Sequence, residues 1–453
     1  MCSHLKKQYI RAMLSMMKRM ISVAALFIYL MAGTTHAMTY EDESKIANDF
    51  ISYLDSRGFI IHDIEITSKL QFLVDQLADH IKDPVYSFKI HLVKDRSINA
   101  FAIPGGQIFI NLGTVLFVQD LNELAGVIGH EMGHCQLRHI PEDMETQKRI
   151  SMATLLGVLA GTILSAKNPQ VGTALIYSSL GGSQNIRLKY SRKHEFEADE
   201  FSRNILPLAG FDPSGLSRFL IRLRTYEGTY GVPAYLLTHP YAKQRIASID
   251  RQPGKPKPDE RYWALYSSAI AYLLPLEEAR SRADSLPGMY KKFVLGVVAV
   301  RSGLYREALA YLKGIDLPQA YEWYGIALYH MGKYKSALPY LENYEASARS
   351  RLAIANILDS QGKPQQAIKV LQPFQKYHPR VAYLLGKLYQ ETGKHTLSHV
   401  AYARYFYYTG HYKSSYYHIR EALDSKGKLD ASTKDELSFM LKEIKKAEKE
   451  ASE

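Results

Sequence analysis

The chain has 453 residues and a formal net charge of +12; 46% of its residues are hydrophobic and 23% are charged. This length exceeds that of one typical domain core and predicts two domains, and the balance of residue types is that of a soluble globular protein. No dense run of lysine and arginine and no stacked aromatic platform accompanies the charge, so the composition argues against a nucleic-acid partner.

The first 37 residues have the pattern of a secretory signal peptide. Five basic residues precede an apolar run at 21–33, and small residues at 35–37 stand where a signal peptidase cleaves. The apolar run is shorter than the ~20 residues that span a bilayer, which favours cleavage after Ala37 over a membrane anchor. Cleavage would leave Cys135 as the only cysteine and exclude an intrachain disulfide. We expect a mildly basic exported protein, compatible with peripheral contact to an acidic membrane surface.

A helical segment and a short sheet are predicted next. From Tyr40 to Ile81 apolar residues recur at spacings of three and four, as in an amphipathic helix. Residues 88–93 and 107–111 alternate as half-buried strands do. Between these strands lies a segment that we interpret as an edge strand, to which an extended peptide substrate can add through main-chain hydrogen bonds. Its residues are Asn99, Ala100, Phe101 and Ala102.

An H-E-x-x-H motif stands at residues 130–134 within an apolar stretch. The stretch runs from Leu121 to Pro141, with Asp120 placed to cap its N-terminus and Pro141 unable to extend it. We therefore predict that the motif lies on a helix.

Two histidines four positions apart on a helix project from one face and can bind one metal ion. His130 and His134 have this spacing, and Glu131 can address a water molecule at that ion. Such short patterns also occur by chance on ordinary helices, so a zinc site requires a third ligand.

Residues 150–184 form an apolar tract after this helix. Residues 150–166 contain no charge, and 171–184 are rich in glycine and serine. One interpretation is a membrane hairpin. The break at 167–170, the small residues and the marginal length favour instead a lid of helices packed over the active site.

A second motif supplies a third ligand. Glu195 and Asp199 are four residues apart on a predicted helix at 186–206, so their carboxylates share one face. We assign Glu195 as the third zinc ligand and Asp199 as the acid that orients a ligand imidazole. The competing candidates are His194, Glu197 and His139. They offer no such pairing of a ligand with an orienting acid.

The C-terminal part is repetitive and is predicted to be helical throughout. A linker rich in proline and lysine at 252–258 marks the boundary between a domain at 38–254 and a domain at 255–453. Beyond it, turn glycines recur at spacings of 29, 30 and 31 residues, a little under the roughly 34 of tetratricopeptide repeats. These glycines are Gly303, Gly332, Gly362 and Gly393, and Gly410 extends the series imperfectly. We predict an all-α solenoid whose abundant tyrosines pack between helices or form a peptide-binding surface.

The candidate ligands fit the chemistry of a catalytic zinc. Such an ion has three protein ligands and an open position for water, whose pKa falls to about 7. His130, His134 and Glu195 would be the ligands of one Zn²⁺ per chain. Glu131 would take the proton from the water and pass it to the leaving amine. The sequence thus predicts a zinc-dependent enzyme that hydrolyses peptide bonds.

The combined motifs resemble the gluzincin metallopeptidases of the HtpX type. Besides H-E-x-x-H, the chain has E-x-x-A-D at 195–199 and Asn-Ala-Phe-Ala-Ile-Pro-Gly-Gly at 99–106. The signal peptide and the repeats narrow the resemblance to the BepA-like periplasmic branch. It implies a mostly α fold, in which a helical zincin domain with a small β-sheet is followed by the repeats. It also implies that Glu195, matched by its place in E-x-x-A-D, is the third ligand.

The resemblance also singles out His239 and Arg245, which match the H-P-x-x-x-x-R element of this family. An imidazole and a guanidinium can both stabilise the oxyanion of a tetrahedral intermediate, so we expect both residues to be catalytic. We hypothesise in addition that His239 can approach the zinc as a fourth ligand and hold the enzyme closed. The alternative is that His239 only ends a helix before Pro240.

Relatives of this type degrade stalled β-barrel precursors, and their repeats contact the β-barrel assembly machinery. The resemblance therefore implies an endopeptidase that acts on unfolded or stalled outer-membrane proteins in the periplasm. The alternative is a repeat-based chaperone or scaffold for outer-membrane protein assembly with a rarely active metal site. The presence of Glu131 favours the enzyme, because a structural zinc has no use for an adjacent base.

Overall fold

The computed structural model describes residues 39–142, 157, 161, 190–249, 254–343, 347–375, 378–425, 427 and 429–452. The chain divides into two compact units, Met1–Tyr266 and Ser267–Glu453. Helices dominate the described residues, together with a small three-stranded sheet, which confirms the predicted mostly α fold class. The predicted domain boundary at residue 254 stays a prediction, and the division between the compact units lies a little later, at residue 266.

Within the described residues, the first unit has the following elements in chain order: α1 (Tyr40–Ser56), α2 (Ile64–Ala78), β1 (Lys89–Val93), β2 (Ala100–Ile103), β3 (Gln107–Asn111), α3 (Leu112–Phe117), α4 (Leu121–Gln136), α5 (Arg192–Leu208), α6 (Gly215–Tyr230), α7 (Ala234–Thr238) and α8 (Ala242–Ile249). Two helices thus form where one helical segment was predicted between Tyr40 and Ile81. The division between the two units falls within α9 (Glu260–Leu273).

The sheet has the strand order β1-β3-β2, with β1 parallel and β2 antiparallel to β3. Among the described residues β2 pairs only with β3, so it forms an edge of the sheet, and it packs beside α4. Phe101 of β2 stacks on Phe109 of β3 at a centroid distance of 4.9 Å, and Phe50 of α1 meets Phe109 edge to face at 5.5 Å. This aromatic core fixes the sheet against α1.

Helix α4 begins at the predicted cap and ends earlier than predicted. The Asp120 carboxylate accepts a hydrogen bond from the Glu123 N–H at 2.8 Å, which caps the N-terminus. The helix ends at Gln136, five residues before Pro141, because Arg138 takes a left-handed conformation with φ of 53°. The chain therefore turns back on itself, and His139 lies against the last turn of the helix.

Glycine residues on α4 allow its neighbours to approach closely. A Cβ atom at Gly133 would lie 3.0 Å from the Cα atom of Ala198 on α5, and one at Gly126 would lie 2.6 Å from the backbone N of Leu216 on α6. Side chains larger than hydrogen at these two positions would push the helices apart. The close approach brings the residues of α5 next to the motif histidines.

Two predicted segments fall outside the described residues. They are the signal peptide at 1–37 and, apart from Gly157 and Gly161, the lid at 150–184. Where the structure describes the chain, it contains no helix with the length and apolar character needed to cross a bilayer.

The described elements that follow α9 are α10 (Leu276–Ala283), α11 (Gly288–Arg301), α12 (Tyr305–Leu312), α13 (Pro318–His330), α14 (Tyr334–Glu342), α15 (Ala348–Ser360), α16 (Pro364–Leu371), a 3₁₀ turn (Gln372–Phe374), α17 (Pro379–Glu391), α18 (His395–Tyr408), α19 (Tyr412–Asp424) and α20 (Ala431–Ser452). Each helix packs mainly against the helices next to it in the chain, as in a stack of helical hairpins. The assignment of these hairpins as tetratricopeptide repeats stays a prediction.

The turn glycines that marked the repeats lie just after helix ends. Gly303, Gly332, Gly362, Gly393 and Gly410 all have φ between 71° and 78°. Only glycine adopts this left-handed conformation at low cost, and it closes the end of the preceding helix. The last helix, α20, buries Leu437, Met440 and Ile444 in a core with residues of α18 and α19.

Candidate metal centre

Four buried side chains from three segments converge beside α4. His130 and His134 come from one face of α4, Glu195 from the first turn of α5, and His239 from the residue that ends α7. His134 is 2% exposed and the other three are fully buried. The structure thus brings together the three predicted zinc ligands and the predicted fourth.

The potential ligand atoms are close enough to share one ion. The Nε2 atom of His130 lies 3.0 Å from Nε2 of His134 and 3.3 Å from Nδ1 of His239. The Oε1 atom of Glu195 lies 3.1 Å from Nδ1 of His239 and 3.7 Å from Nε2 of His134. Two ligands of a tetrahedral zinc with bonds of about 2.0–2.1 Å are about 3.3 Å apart. These four donors therefore fit a zinc ion in spacing and in chemical type.

Asp199 lies where the spacing on α5 predicts. Its Oδ1 atom is 2.9 Å from Nδ1 of His130, the ring nitrogen opposite the ligand atom. Burial alone would raise the pKa of Asp199, but the charge of Arg245 and the hydrogen bond with His130 lower that pKa to about 2. An ionised Asp199 holds the proton of His130 on Nδ1 and leaves Nε2 free to bind a metal.

Arg245 is fully buried and lies behind the ligands. Its guanidinium is 2.6 Å from Oδ1 of Asp199 and 2.5 Å from Oε2 of Glu195. Burial alone would raise the pKa of Glu195, but Arg245 and His239 lower it. The catalytic role predicted for Arg245 is untested, and these contacts support positioning of two acids as its function.

Glu131 is buried next to the ligand set without being part of it. Neither oxygen of its carboxylate has a hydrogen-bond partner among the described residues, and Oε1 lies 3.5 Å from Nε2 of His239. Burial raises the pKa of Glu131, and the nearby His239 and His130 partly offset this rise. Such a carboxylate accepts a proton more readily than an exposed one, as a general base requires.

Two tyrosines that the sequence analysis did not single out enclose His239. Tyr235 stacks on the His239 ring at a centroid distance of 4.5 Å, and Tyr190 stacks on His134 at 3.7 Å and on His239 at 5.2 Å. Tyr235 precedes His239 by four residues, and this helical spacing was an available signal. Tyr190 is distant from both histidines in sequence, so no local pattern could have indicated it.

The competing ligands form a separate group. His139, His194 and Glu197 have potential ligand atoms within 4.8 Å of one another. They do not join the buried centre, although Nδ1 of His139 lies 2.9 Å from Nδ1 of His134.

The predicted edge strand is also beside the metal centre. Ala100, Phe101 and Ala102 belong to β2, which packs beside α4. Asn99 precedes the strand, and its N–H donates a hydrogen bond to the Thr114 hydroxyl at 2.8 Å. Substrate pairing along β2 stays a prediction.

Comparison with known proteins relates most of the first unit to a family of peptidases. Residues 65–252 match the model of peptidase family M48. The chain is 33% identical over 216 residues to a putative beta-barrel assembly-enhancing protease of Vibrio cholerae, covering 48% of this chain and 44% of the relative. It is 28% identical over 229 residues to the beta-barrel assembly-enhancing protease of Escherichia coli K12, covering 50% of this chain and 46% of the relative. The metalloprotease LoiP of Escherichia coli K12 is 30% identical over 165 residues, or 36% of this chain and 61% of the relative.

The chain thus spans just under half the length of the beta-barrel assembly-enhancing proteases that it matches. The segment that matches the family model contains all four side chains of the buried centre. Residues 65–252 therefore form a metalloendopeptidase domain whose metal is zinc, which confirms the predicted enzyme class and cofactor for this domain.

Proposed function

We propose that the metalloendopeptidase domain at residues 65–252 makes this chain a zinc-dependent endopeptidase that cleaves unfolded or misassembled outer-membrane proteins in the periplasm. The observation that carries the proposal is the buried ligand set with an adjacent carboxylate that is free of hydrogen bonds to the described residues. A structural metal site needs ligands, but it does not need a buried base beside them.

The protein's own groups divide the work of peptide hydrolysis. His130, His134 and Glu195 would hold the zinc ion, which supplies Lewis-acid polarisation of water and of the scissile carbonyl. Glu131 takes the proton of the attacking water, because its buried carboxylate has a raised pKa, and then gives that proton to the leaving amine. Asp199 keeps His130 in the tautomer that presents Nε2 to the ion.

His239 has two roles in this proposal. In the described arrangement its Nδ1 atom completes the ligand set and its Nε2 atom faces Glu131, so it occupies the place that a water and a substrate carbonyl require. With zinc bound, this arrangement would be a closed state in which His239 is the fourth ligand. Movement of His239 away from Glu195 opens the centre, and its imidazole can then stabilise the oxyanion of the tetrahedral intermediate. Tyr190 and Tyr235 stack on its ring and stabilise the closed position.

Unfolded chains are the substrates that would pair with the edge strand β2, whose residues are only 1–2% exposed here and must become accessible first. A segment that pairs with Ala100–Ile103 is held by main-chain hydrogen bonds, so recognition depends little on its sequence and requires that it be extended. Two relatives of this chain are named beta-barrel assembly-enhancing proteases. These names favour precursors of outer-membrane β-barrels as the substrate class. The helical hairpins of the second unit would recruit these precursors or the β-barrel assembly machinery.

The substitution Glu131→Gln tests this proposal. The full chain with this change should retain bound zinc and should cleave an unfolded polypeptide at least about 10²-fold more slowly, because the base is lost while the ligands remain. The matched control is Glu200→Gln, an exposed position on α5, which should leave both zinc content and cleavage unchanged. Unchanged cleavage by the Glu131→Gln chain would contradict the proposed mechanism.

A further inference from the structure

A second cluster of metal-binding side chains lies next to the catalytic centre. His139 and His194 are 1% and 4% exposed, and their rings stack at a centroid distance of 4.3 Å with an interplanar angle of 10°. Because the lone pair of an imidazole nitrogen lies in the ring plane, one of the two stacked rings must rotate before both can bind the same ion. Nε2 of His139 lies 3.3 Å from Oε2 of Glu197, and Nε2 of His194 lies 3.7 Å from Oε2 of Glu142.

The cluster is held by the local fold. His139 follows the left-handed residue Arg138, and the first two turns of α5 supply His194 and Glu197. The Ser191 hydroxyl caps α5 by accepting a hydrogen bond from the His194 N–H at 3.1 Å. The backbone of His194 is therefore held in place, while Glu197, whose side chain is 38% exposed, can adjust to a ligand.

A cation already lies between the two carboxylates of this cluster. The ammonium of Lys193 is 3.6 Å from Glu142 and 3.7 Å from Glu197, and the Lys193 side chain is 66% exposed. A solvated ammonium of this kind is easily displaced, since exposed ion pairs contribute little to stability. Two imidazoles with carboxylate oxygens are a donor set that suits zinc and similar transition metals rather than calcium or magnesium.

A hydrogen bond couples this cluster to the catalytic centre. Nε2 of His134 faces the other ligands, so a neutral His134 that binds zinc carries its proton on Nδ1. That N–H points at Nδ1 of His139, 2.9 Å away, which must accept the hydrogen bond. A neutral His139 then carries its own proton on Nε2, opposite Glu197.

A metal bound to Nε2 of His139 reverses this pattern. The proton of His139 would move to Nδ1, where it faces the N–H of His134, and the two donors would oppose each other. Occupation of one site therefore weakens the other. Loss of a hydrogen bond to a ligand histidine typically costs about 10–100-fold in metal affinity.

We propose that His139, His194 and Glu197, assisted by Glu142, form a second transition-metal site whose occupation by zinc weakens the binding of zinc at His130, His134 and Glu195. The binding part of this inference is independent of the proposed function. The consequence that excess zinc inhibits peptide cleavage rests on that function.

Zinc titration of the full chain tests the inference, with Glu131→Gln as the parent so that self-cleavage cannot interfere. The parent should bind two equivalents, and Glu197→Gln should abolish the second equivalent and retain the first. Lys193→Gln should bind the second equivalent about two- to fivefold more tightly, because a competing ammonium is removed. Calcium should not displace the second zinc. Glu197 and Lys193 are exposed enough for both variants to fold, which circular dichroism can verify.

The inference would be overturned if the parent and both variants each bound a single equivalent of zinc. It would also be overturned if all of them bound a second equivalent of zinc with the same affinity. Binding of two equivalents without a weakening of the first would overturn the coupling. In the chain with Glu131 intact, cleavage should decline when zinc exceeds one equivalent, and Glu197→Gln should remove this decline. A chain that binds no zinc at all would instead contradict the proposed function.

Discussion

The two compact units use buried charge in different ways. In the first unit, three helices, α4, α5 and α8, supply a cluster of charged and titratable side chains that are nearly or fully buried. The cluster consists of His130, Glu195, Asp199 and Arg245. In the second unit, the buried Arg404 pairs with Glu436, whose side chain keeps 21% of its surface exposed. The first unit thus concentrates buried charges that stabilise one another as a set, since a buried charge without its partner is costly. The second unit also has a fully buried acid, Glu322, but its partner Arg349 is 27% exposed.

The largest effect on the free energy of unfolding should appear when one buried arginine is replaced in each unit. Arg245→Met leaves the buried carboxylates of Asp199 and Glu195 without their cation and should lower the free energy of unfolding by about 3–5 kcal/mol. Arg404→Met should cost less, about 1.5–3 kcal/mol, because Glu436 can be hydrated. Chemical denaturation of the zinc-free chains measures both values. Equal losses would show that burial of the partner acid does not distinguish the units.

Helix spacing provides the next comparison. Gly133→Val would place a Cβ atom 3.0 Å from the Cα of Ala198 and force α5 away from α4. We expect a loss of about 1–3 kcal/mol in stability and a large loss of zinc affinity, because Glu195 moves with α5. The control is Gly228→Val on α6, where a Cβ atom meets nothing within 4 Å. Zinc affinity equal to that of the unmodified chain in Gly133→Val would disprove the role of this contact.

The matching substitution in the second unit should affect stability alone. In Gly325→Val the new Cβ atom would lie 2.9 Å from the Cβ of Tyr340 on the paired helix α14. A similar loss of about 1–3 kcal/mol is expected, with zinc content and peptide cleavage per folded chain unchanged. Hydrogen exchange should show the loss in α13 and α14. A fall in bound zinc would mean that the units are coupled.

The smallest expected effect is the change in the stability of the second unit with pH. Burial, followed by the neighbouring His399, lowers the pKa of His418 to about 4. The fold therefore favours the neutral imidazole, so stability should be constant above about pH 6.5 and should fall as the pH drops from 6.5 towards 4. His418 is partly exposed, which limits the loss to the order of 1 kcal/mol. NMR titration measures the pKa of His418, and a midpoint near 6.5 would refute this prediction. His418→Gln should remove the contribution of this residue to the pH dependence and leave that of His330, whose pKa burial also lowers.

The sequence was informative where short patterns determine structure. Helical periodicity, alternation and capping predicted α4, β1 and β3, and the mostly α fold class is confirmed. The spacings of 130–134 and 195–199 placed the histidines and acids on the faces that the structure brings together. The turn glycines indicated helix ends, because the left-handed conformation at these positions is required locally.

Features that depend on tertiary contacts were not predictable in this way. The end of α4 at Gln136 depends on the left-handed Arg138, whose guanidinium pairs with the buried Glu43 of α1. Arg245 was expected to act on substrate, but its contacts with Asp199 and Glu195 are visible only in the assembled unit. Tyr190 reaches His134 across more than fifty residues of sequence. Local patterns carry no information about such contacts.

Removal and return of the metal test the central claim most directly. The full chain should lose cleavage of an unfolded polypeptide after treatment with a chelator, and one equivalent of zinc per chain should restore it. The chain should remain folded throughout, so that the loss reflects the metal centre rather than unfolding. Cleavage that persists in the chelated, zinc-free chain would contradict the assignment of this unit as a zinc-dependent endopeptidase.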